Sequence, residues 1–308
     1  MSVKVTAPGS LMLMGEYAVL HGKRALVCAV DKRMTVVLTP RTDKKIIIRS
    51  ALGNHECDLE KIEVVAPFQF VLTAIKNVQK KMKSGCEIEI TTEFSDKIGF
   101  GSSAAVTVAT VTALMTWLHL PYSKLELVRV ARNIIRQVQG AGSGADVAAC
   151  VFGGIIEYHS EPLTVEKLKN HYPLTVIYSG SKTPTPDAIK KVDQYFSDYP
   201  LIFQQFCKTI DTCVSEGKKA ITNELWSKLG KLMNIQQGVM ESLGVSNTVL
   251  QTIISSLRES DVILGAKISG SGFGDCVIAL GELPASHAAK GEKIPVNITD
   301  LGVQCEKN

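Results

Sequence analysis

Polar and apolar positions divide this chain into an early part that reads mostly as strands and a later part that reads as helices. Residues 4–7, 25–30, 34–39, 45–50 and 87–92 are short runs rich in β-branched side chains and closed by turn residues, which predicts β-strands. Residues 66–82 interrupt them with apolar positions near a 3.6-residue period, and this predicts a helix. Three more helices are predicted over 103–118, 123–138 and 145–151. Gly153-Gly154 opens a strand at 155–158, and 174–178 reads as another. Beyond Pro186 the period turns helical again, over 188–196, 201–216, 224–243 and 247–257. Strands at 266–268 and 276–280, a helix around 284–290 and a strand near Val303 complete the reading. Strands gathered early and helices late, without strict alternation, predict an α+β fold rather than a doubly wound parallel sheet. Pro162, Pro173, Pro184 and Pro186 cluster between the two parts, so the expected domains are 1–170 and 171–308.

Composition narrows the function classes. With 308 residues, 45% apolar and 21% charged, the chain can bury a large core without disulfide or metal staples. A net charge of +4 permits an anionic small substrate. Only 6% of residues are aromatic, and none form a stripe with Lys and Arg, so a nucleic-acid partner is not expected. No apolar run approaches the length of a membrane span, and the N-terminus lacks the charged-then-apolar pattern of a signal peptide. The eight cysteines form no CxxC pair and mostly sit in apolar runs, which suits reduced thiols of a cytoplasmic protein. The six histidines show no metal-ligand spacing. The 224–243 helix suits either internal packing or the face of a homodimer.

Three glycine-rich segments carry candidate chemistry. Gly99-Phe100-Gly101-Ser102-Ser103-Ala104-Ala105 runs directly into a predicted helix. Glycines let a backbone approach a ligand closely, and the first helical N–H groups suit a phosphate. A serine oxygen there can ligate Mg²⁺. The segment lacks the lysine of a Walker A loop. A glycine turn with a serine cap is the plain structural alternative. Ser143-Gly144-Ala145-Asp146 places a carboxylate in the first turn of a short apolar helix, either as a dipole partner or as a base at a cleft edge. Lys267 to Asp275, with Gly270-Ser271-Gly272, is a glycine-rich turn between strands, either a permissive hairpin or a second cradle. A weaker element is Ala7-Pro8-Gly9-Ser10 with Gly15-Glu16-Tyr17-Ala18-Val19, where Glu16 lies between apolar stretches and needs a partner.

These four elements, in this order and over nearly the whole chain, resemble the GHMP family of small-molecule kinases. Gly99–Ala105 is similar to that family's GLGSSAA loop, Ser143–Asp146 to its SGxD segment, and Lys267–Asp275 to its C-terminal glycine motif. The resemblance implies a two-domain fold. Its N-terminal domain would be ribosomal protein S5 domain 2-like and its C-terminal domain ferredoxin-like, with the site between them. It also implies ATP and Mg²⁺ as cofactors. The N-terminal element points to the mevalonate-pathway branch. Leu20-His21-Gly22-Lys23 and the compact length favour mevalonate as substrate. Lys97, Tyr17 and Asp146-Val147-Ala148-Ala149 with Gly153-Gly154 favour 5-phosphomevalonate, the alternative. A non-catalytic binding protein is a third reading, because two family positions differ. Ser10 stands where a lysine is usual, and Ile135 where mevalonate kinases carry a magnesium-site glutamate.

By resemblance, Lys97, Gly99, Phe100, Gly101, Ser102, Ser103 and Ala104 would bind ATP, with Ser103 on Mg²⁺. Asp146 would orient or deprotonate the substrate hydroxyl. Lys182 or Lys97 would supply the cation missing at Ser10. Ser10, Glu16, Tyr17, Ser143, Gly270, Ser271 and Gly272 would hold the substrate. For a phosphorylated substrate, Lys97 with Arg132, Arg136 or Lys182 would form a basic patch.

Overall fold

The computed structural model describes residues 2–95, 98–284 and 290–307. Among these, eight strands form one sheet and four form a second. The first sheet contains β1 (Val3–Met14), β2 (Ala25–Pro40), β3 (Lys45–Ser50), β4 (Gly53–Asp58), β5 (Cys86–Thr92), β6 (Ile155–Ser160), β7 (Leu163–Leu168) and β12 (Gln304–Lys307). Its main path runs β12-β1-β2-β5-β3-β4, with β6 on the other end of β2 and β7 beside β6. The second sheet runs β11-β8-β10-β9, from β8 (Leu174–Tyr178), β9 (Gly265–Ser269), β10 (Cys276–Leu280) and β11 (Glu292–Ile294). Helices α1 (Gln69–Val78), α2 (Ser102–Trp117), α3 (Lys124–Gln139) and α4 (Ala145–Phe152) belong to the first part. Helices α5 (Thr185–Tyr195), α6 (Pro200–Thr222), α7 (Trp226–Ser242) and α8 (Thr248–Arg258) belong to the second. The fold is therefore α+β in two parts, and the last strand of the chain returns to the first sheet.

Several elements differ from the pattern reading. The strand expected at 4–7 extends to Met14, because Pro8 and Gly9 are absorbed by a register shift against β2 instead of ending the strand. The runs at 25–30 and 34–39 join into one strand across Asp31, Lys32 and Arg33. The short strands β4, β7 and β11 were not predicted. The helix expected over 66–82 is shorter, and a 3₁₀ turn follows it at Gln79–Lys81. The helix expected around 284–290 falls mainly on 285–289, outside the described residues.

Local chemistry explains the helices that position the site. Helix α2 is small and apolar on every side, with Ala104, Ala105, Val108, Ala109 and Ala113 all buried. Such a helix belongs in a core, and it lies among β1, β2, α1, α3 and α4. Helix α3 opens on a capping box. Ser123 accepts the Glu126 N–H at 3.2 Å, and Glu126 accepts the Ser123 N–H at 2.7 Å. Its last turn delivers Arg136 to the Gly142 carbonyl at 2.8 Å.

A buried ion pair ties the two parts together. Glu16, just beyond β1, pairs with Lys267 of β9, and both side chains are almost wholly buried. Gln236 of α7 donates to the other Glu16 oxygen and accepts the Gly15 N–H at 3.3 Å. Lys267 also donates to the Ile268 carbonyl. Burial pushes the Lys267 ammonium below its ordinary range, and Glu16 opposes that. Removing one member of such a pair strands a buried charge at a cost of about 3–5 kcal/mol, whereas removing both is far milder. Glu16→Leu should therefore lower the unfolding free energy by about 3 kcal/mol or more, and Glu16→Leu with Lys267→Met should recover most of it. Urea unfolding of the two variants checks this, and equal losses would contradict it.

Candidate active site

The site begins where β1 passes beneath the glycine loop. Ser10 is fully buried, and its N–H donates to the Phe100 carbonyl at 3.0 Å. Its hydroxyl donates to Asp146 Oδ1 at 2.9 Å. Asp146 stands in the first turn of α4, so the helix N-terminus favours its charge. Burial raises the Asp146 pKa, while the Ser10 hydroxyl and the nearby Lys182 ammonium pull it down. The result is a half-buried carboxylate held by one hydroxyl and drawn down by the Lys182 ammonium.

Gly101 makes this arrangement possible. It caps α2 in the left-handed region at φ 62, and a Cβ there would lie 2.3 Å from Ser10 Oγ. The loop, the hydroxyl and the carboxylate therefore share one small space. No acidic residue occupies the first turn of α2, and no side chain caps it. Ser103 and Ala104 of that turn line the adjoining cleft. The carbonyl of Ser103 accepts the Thr107 hydroxyl at 2.6 Å.

The cleft lies between the two parts. It is lined by Glu16, Tyr17, Ser103, Ala104, Ser143, Asp146, Gly270 and Ser271, all expected from the sequence. Ser10 touches the site from below, through Asp146. Gly99, Phe100, Gly101, Ser102 and Gly272 are not among the lining residues. The Phe100 side chain is buried in the core near Phe94, so its backbone alone is available to a ligand. Lys97 lies outside the described residues. Lys182 donates to the Ile98 carbonyl at 3.4 Å, beside the loop and not on the cleft wall.

The cleft also has residues to which the sequence reading gave no binding role. Met12, Leu20, Ile135 and Ile189 give it an apolar wall, and Gln139 and Thr185 add polar atoms. Among the described residues, no Lys, Arg or His lines it. Arg132 and Arg136, proposed for a basic patch, are used elsewhere. Arg132 donates to the Ser160 carbonyl at 2.9 Å, and Arg136 to the Gly142 carbonyl. Tyr158 donates to the Ser143 carbonyl at 2.5 Å. Arg136 and Tyr158 thus pin the loop that presents Asp146. Across the cleft, the Tyr17 hydroxyl donates to the Ser271 carbonyl at 2.5 Å. Burial raises the Tyr17 pKa, with Glu16 and Asp193 adding to it, so the phenol stays a neutral donor.

The donor set fits a magnesium nucleotide. The described residues contain no group of three or more His, Cys, Asp or Glu able to cage a metal. The polar atoms beside the loop include the oxygens of Ser103 and Asp146. Mg²⁺ prefers oxygen and usually takes only one or two protein ligands besides phosphate and water.

Comparison with known proteins places the chain in a family. The family described as GHMP kinases N terminal domain matches residues 69–154, and GHMP kinases C terminal matches 218–294. The mevalonate kinase of Pyrococcus furiosus is 31% identical, over 91% of this chain and 89% of that one. The mevalonate kinase of Archaeoglobus fulgidus is also 31% identical, over 96% and 99%. The Lin0012 protein of Listeria innocua shares the fold at TM-score 0.88 and 23% identity, over 100% of both chains. A Streptococcus pneumoniae phosphomevalonate kinase shares the fold at TM-score 0.76 and 19% identity, over 91% and 92%.

The Ser10 contact generates a pH prediction. A hydrogen bond to the ionised form lowers a carboxyl pKa, so Ser10→Ala should raise that of Asp146 further. If ionised Asp146 is the working form, activity is lost as pH falls through that pKa. The acid limb of the kcat/KM profile should then move to higher pH in Ser10→Ala, and an unmoved limb would contradict the contact's role.

Proposed function

Since the chain belongs to the GHMP kinase family, we propose that it phosphorylates mevalonate to 5-phosphomevalonate with ATP, in the cytoplasm, on the route to isoprenoids. The single observation that carries this reading is Asp146, half-buried beside the glycine loop in a small cleft and held by Ser10. When bound, MgATP supplies the phosphoryl group and the charge that neutralises it.

The protein's own groups do the rest. Backbone N–H groups of 99–104 would hold the phosphates, and Ser103 would ligate Mg²⁺. Asp146 would accept the proton of the substrate hydroxyl, a contribution of typically 10²–10⁴-fold. Lys182 would offset charge beside the loop, the task left open by Ser10. The apolar wall of Met12, Leu20, Ile135 and Ile189 suits the carbon skeleton and methyl group of mevalonate. Glu16, Tyr17, Ser143, Gly270, Ser271 and Gly272 would hold its polar end.

The relatives favour mevalonate over its phosphorylated product: mevalonate kinases match at 31% identity, whereas the phosphomevalonate kinase matches in fold at 19%. ADP release from MgATP, measured with each compound separately, tests the assignment. Turnover should appear with mevalonate, and Asp146→Asn should lower kcat by about 10²–10⁴-fold with little change in ATP binding. Turnover with 5-phosphomevalonate alone would overturn the substrate. Unchanged turnover in Asp146→Asn would remove the base.

A further inference from the structure

A second carboxylate, this one buried, meets the glycine loop from the opposite side. Asp275 precedes β10 and is only 7% exposed. Its carboxylate lies over Gly99, so closely that a Cβ at residue 99 would sit 2.2 Å from both oxygens. The backbone of Gly99 lies directly against it, and Oδ1 has no hydrogen-bond partner. A buried, unpartnered carboxylate oxygen is costly. The backbone is unfavourable too, since Asp275 sits in the left-handed region at φ 73. Fold requirements alone would favour a glycine, as at Gly272 and Gly274 on the same turn.

The main chain at Asp275 is held on both sides. The Asp275 N–H donates to the Ser181 carbonyl at 2.5 Å, and the Ser179 N–H donates to the Asp275 carbonyl at 2.9 Å. The residue is thus clamped between the 179–181 loop and the start of the phosphate loop. Lys182, from that same loop, reaches the Ile98 carbonyl. The titratable groups that bear on the carboxylate are Lys182, Asp146 from α4, and its neighbours Cys276 and Tyr178.

We propose that Asp275 is an internal anion already engaged on the phosphate loop, so that nucleotide binding is coupled to uptake of a proton by its carboxylate. The inference rests on the reading of residues 99–104 as the phosphate cradle. A polyanion entering the loop meets a buried carboxylate that lies against Gly99. Neutralisation removes the repulsion and lets the acid keep its place beside Gly99. The proton comes from solvent and returns there when the nucleotide leaves. Burial already raises the Asp275 pKa to about 6, against the pull of Lys182, Cys276 and the Gly99 backbone, and Asp146 adds to the rise. A neighbouring phosphate raises it further. The sign follows: affinity for the nucleotide falls as pH rises from about 6 toward the pKa of the complex.

Isothermal titration of the full chain with Mg²⁺ and the β,γ-imido analogue of ATP tests this. Titrations near pH 7.5, in two buffers of different ionisation enthalpy, give the protons taken up. The wild type should take up a fraction of a proton that Asp275→Asn does not. The variant keeps an acceptor beside Gly99 without the charge, so it should bind about three- to tenfold tighter near pH 7.5 and converge with the wild type near pH 5. Equal proton uptake and equal affinity would overturn the proposal, as would weaker binding by the variant at every pH. If the variant does not fold, the wild type decides alone: affinity falling over this range supports the coupling, and a flat profile overturns it. A wild type that binds no nucleotide at all would instead overturn the reading of the loop.

Discussion

A carboxylate half-buried beside a glycine loop at a helix start is the constraint on which this structure turns. Such a group loses much of its hydration, which favours its neutral form. To act as a base near neutral pH, Asp146 needs compensation that occupies almost no space. The protein supplies it with the Ser10 hydroxyl at 2.9 Å, the N-terminus of α4 and the charge of Lys182. The hydroxyl is the tightest of these, because it also fixes what the loop can be. Only a residue without a Cβ fits at Gly101, above Ser10 Oγ. Where the family usually has a lysine, this chain has a small buried donor, and the cation stands further off at Lys182.

The rest of the fold holds that arrangement across a cleft. Strand β1 reaches the loop through the Ser10 N–H and the Phe100 carbonyl. Its extension leads to Glu16, whose pairing with Lys267 fixes the second sheet relative to the first. The same extension carries Tyr17 to the Ser271 carbonyl, which closes the cleft from the far side. Arg136 and Tyr158 hold the carbonyls of the loop before α4. Ion pairs at the rim, such as Arg24 with Asp211 and Lys218 with Glu157, link α6 to the first sheet but are partly exposed. They contribute far less than the buried tie.

Much of the site was legible in the sequence because its backbone demands are local. A glycine at 101 and a run of small residues through Ala105 have few uses other than close approach at the start of a buried helix. Ser143–Asp146 is legible for the same reason. The family resemblance put these segments in one cleft, a step that periodicity cannot take. Strands β4 and β7 escaped the pattern because they are edges of the sheet and mostly exposed, so their apolar and polar positions do not alternate cleanly. The long β1 escaped because Pro8 and Gly9 look like a break, and only the pairing with β2 shows the chain continuing. Long-range contacts were the least legible. Nothing local in Asp275 announces Gly99, and nothing in Arg132 or Arg136 announces that their guanidinium groups face carbonyls instead of a substrate.

The central claim is spatial: one cleft brings the end of the glycine loop at Ser103 and Ala104, Asp146 and an apolar wall to the same reacting atom. The most direct measurement is a crystal structure of the protein with Mg²⁺, a non-hydrolysable ATP analogue and mevalonate. The account predicts the nucleotide phosphates on the backbone of residues 99–104, and mevalonate between Tyr17, Ile135 and Ser271 with its primary hydroxyl within hydrogen-bond reach of Asp146. Mevalonate bound elsewhere, or a hydroxyl turned away from Asp146 while the phosphates occupy the loop, would contradict it.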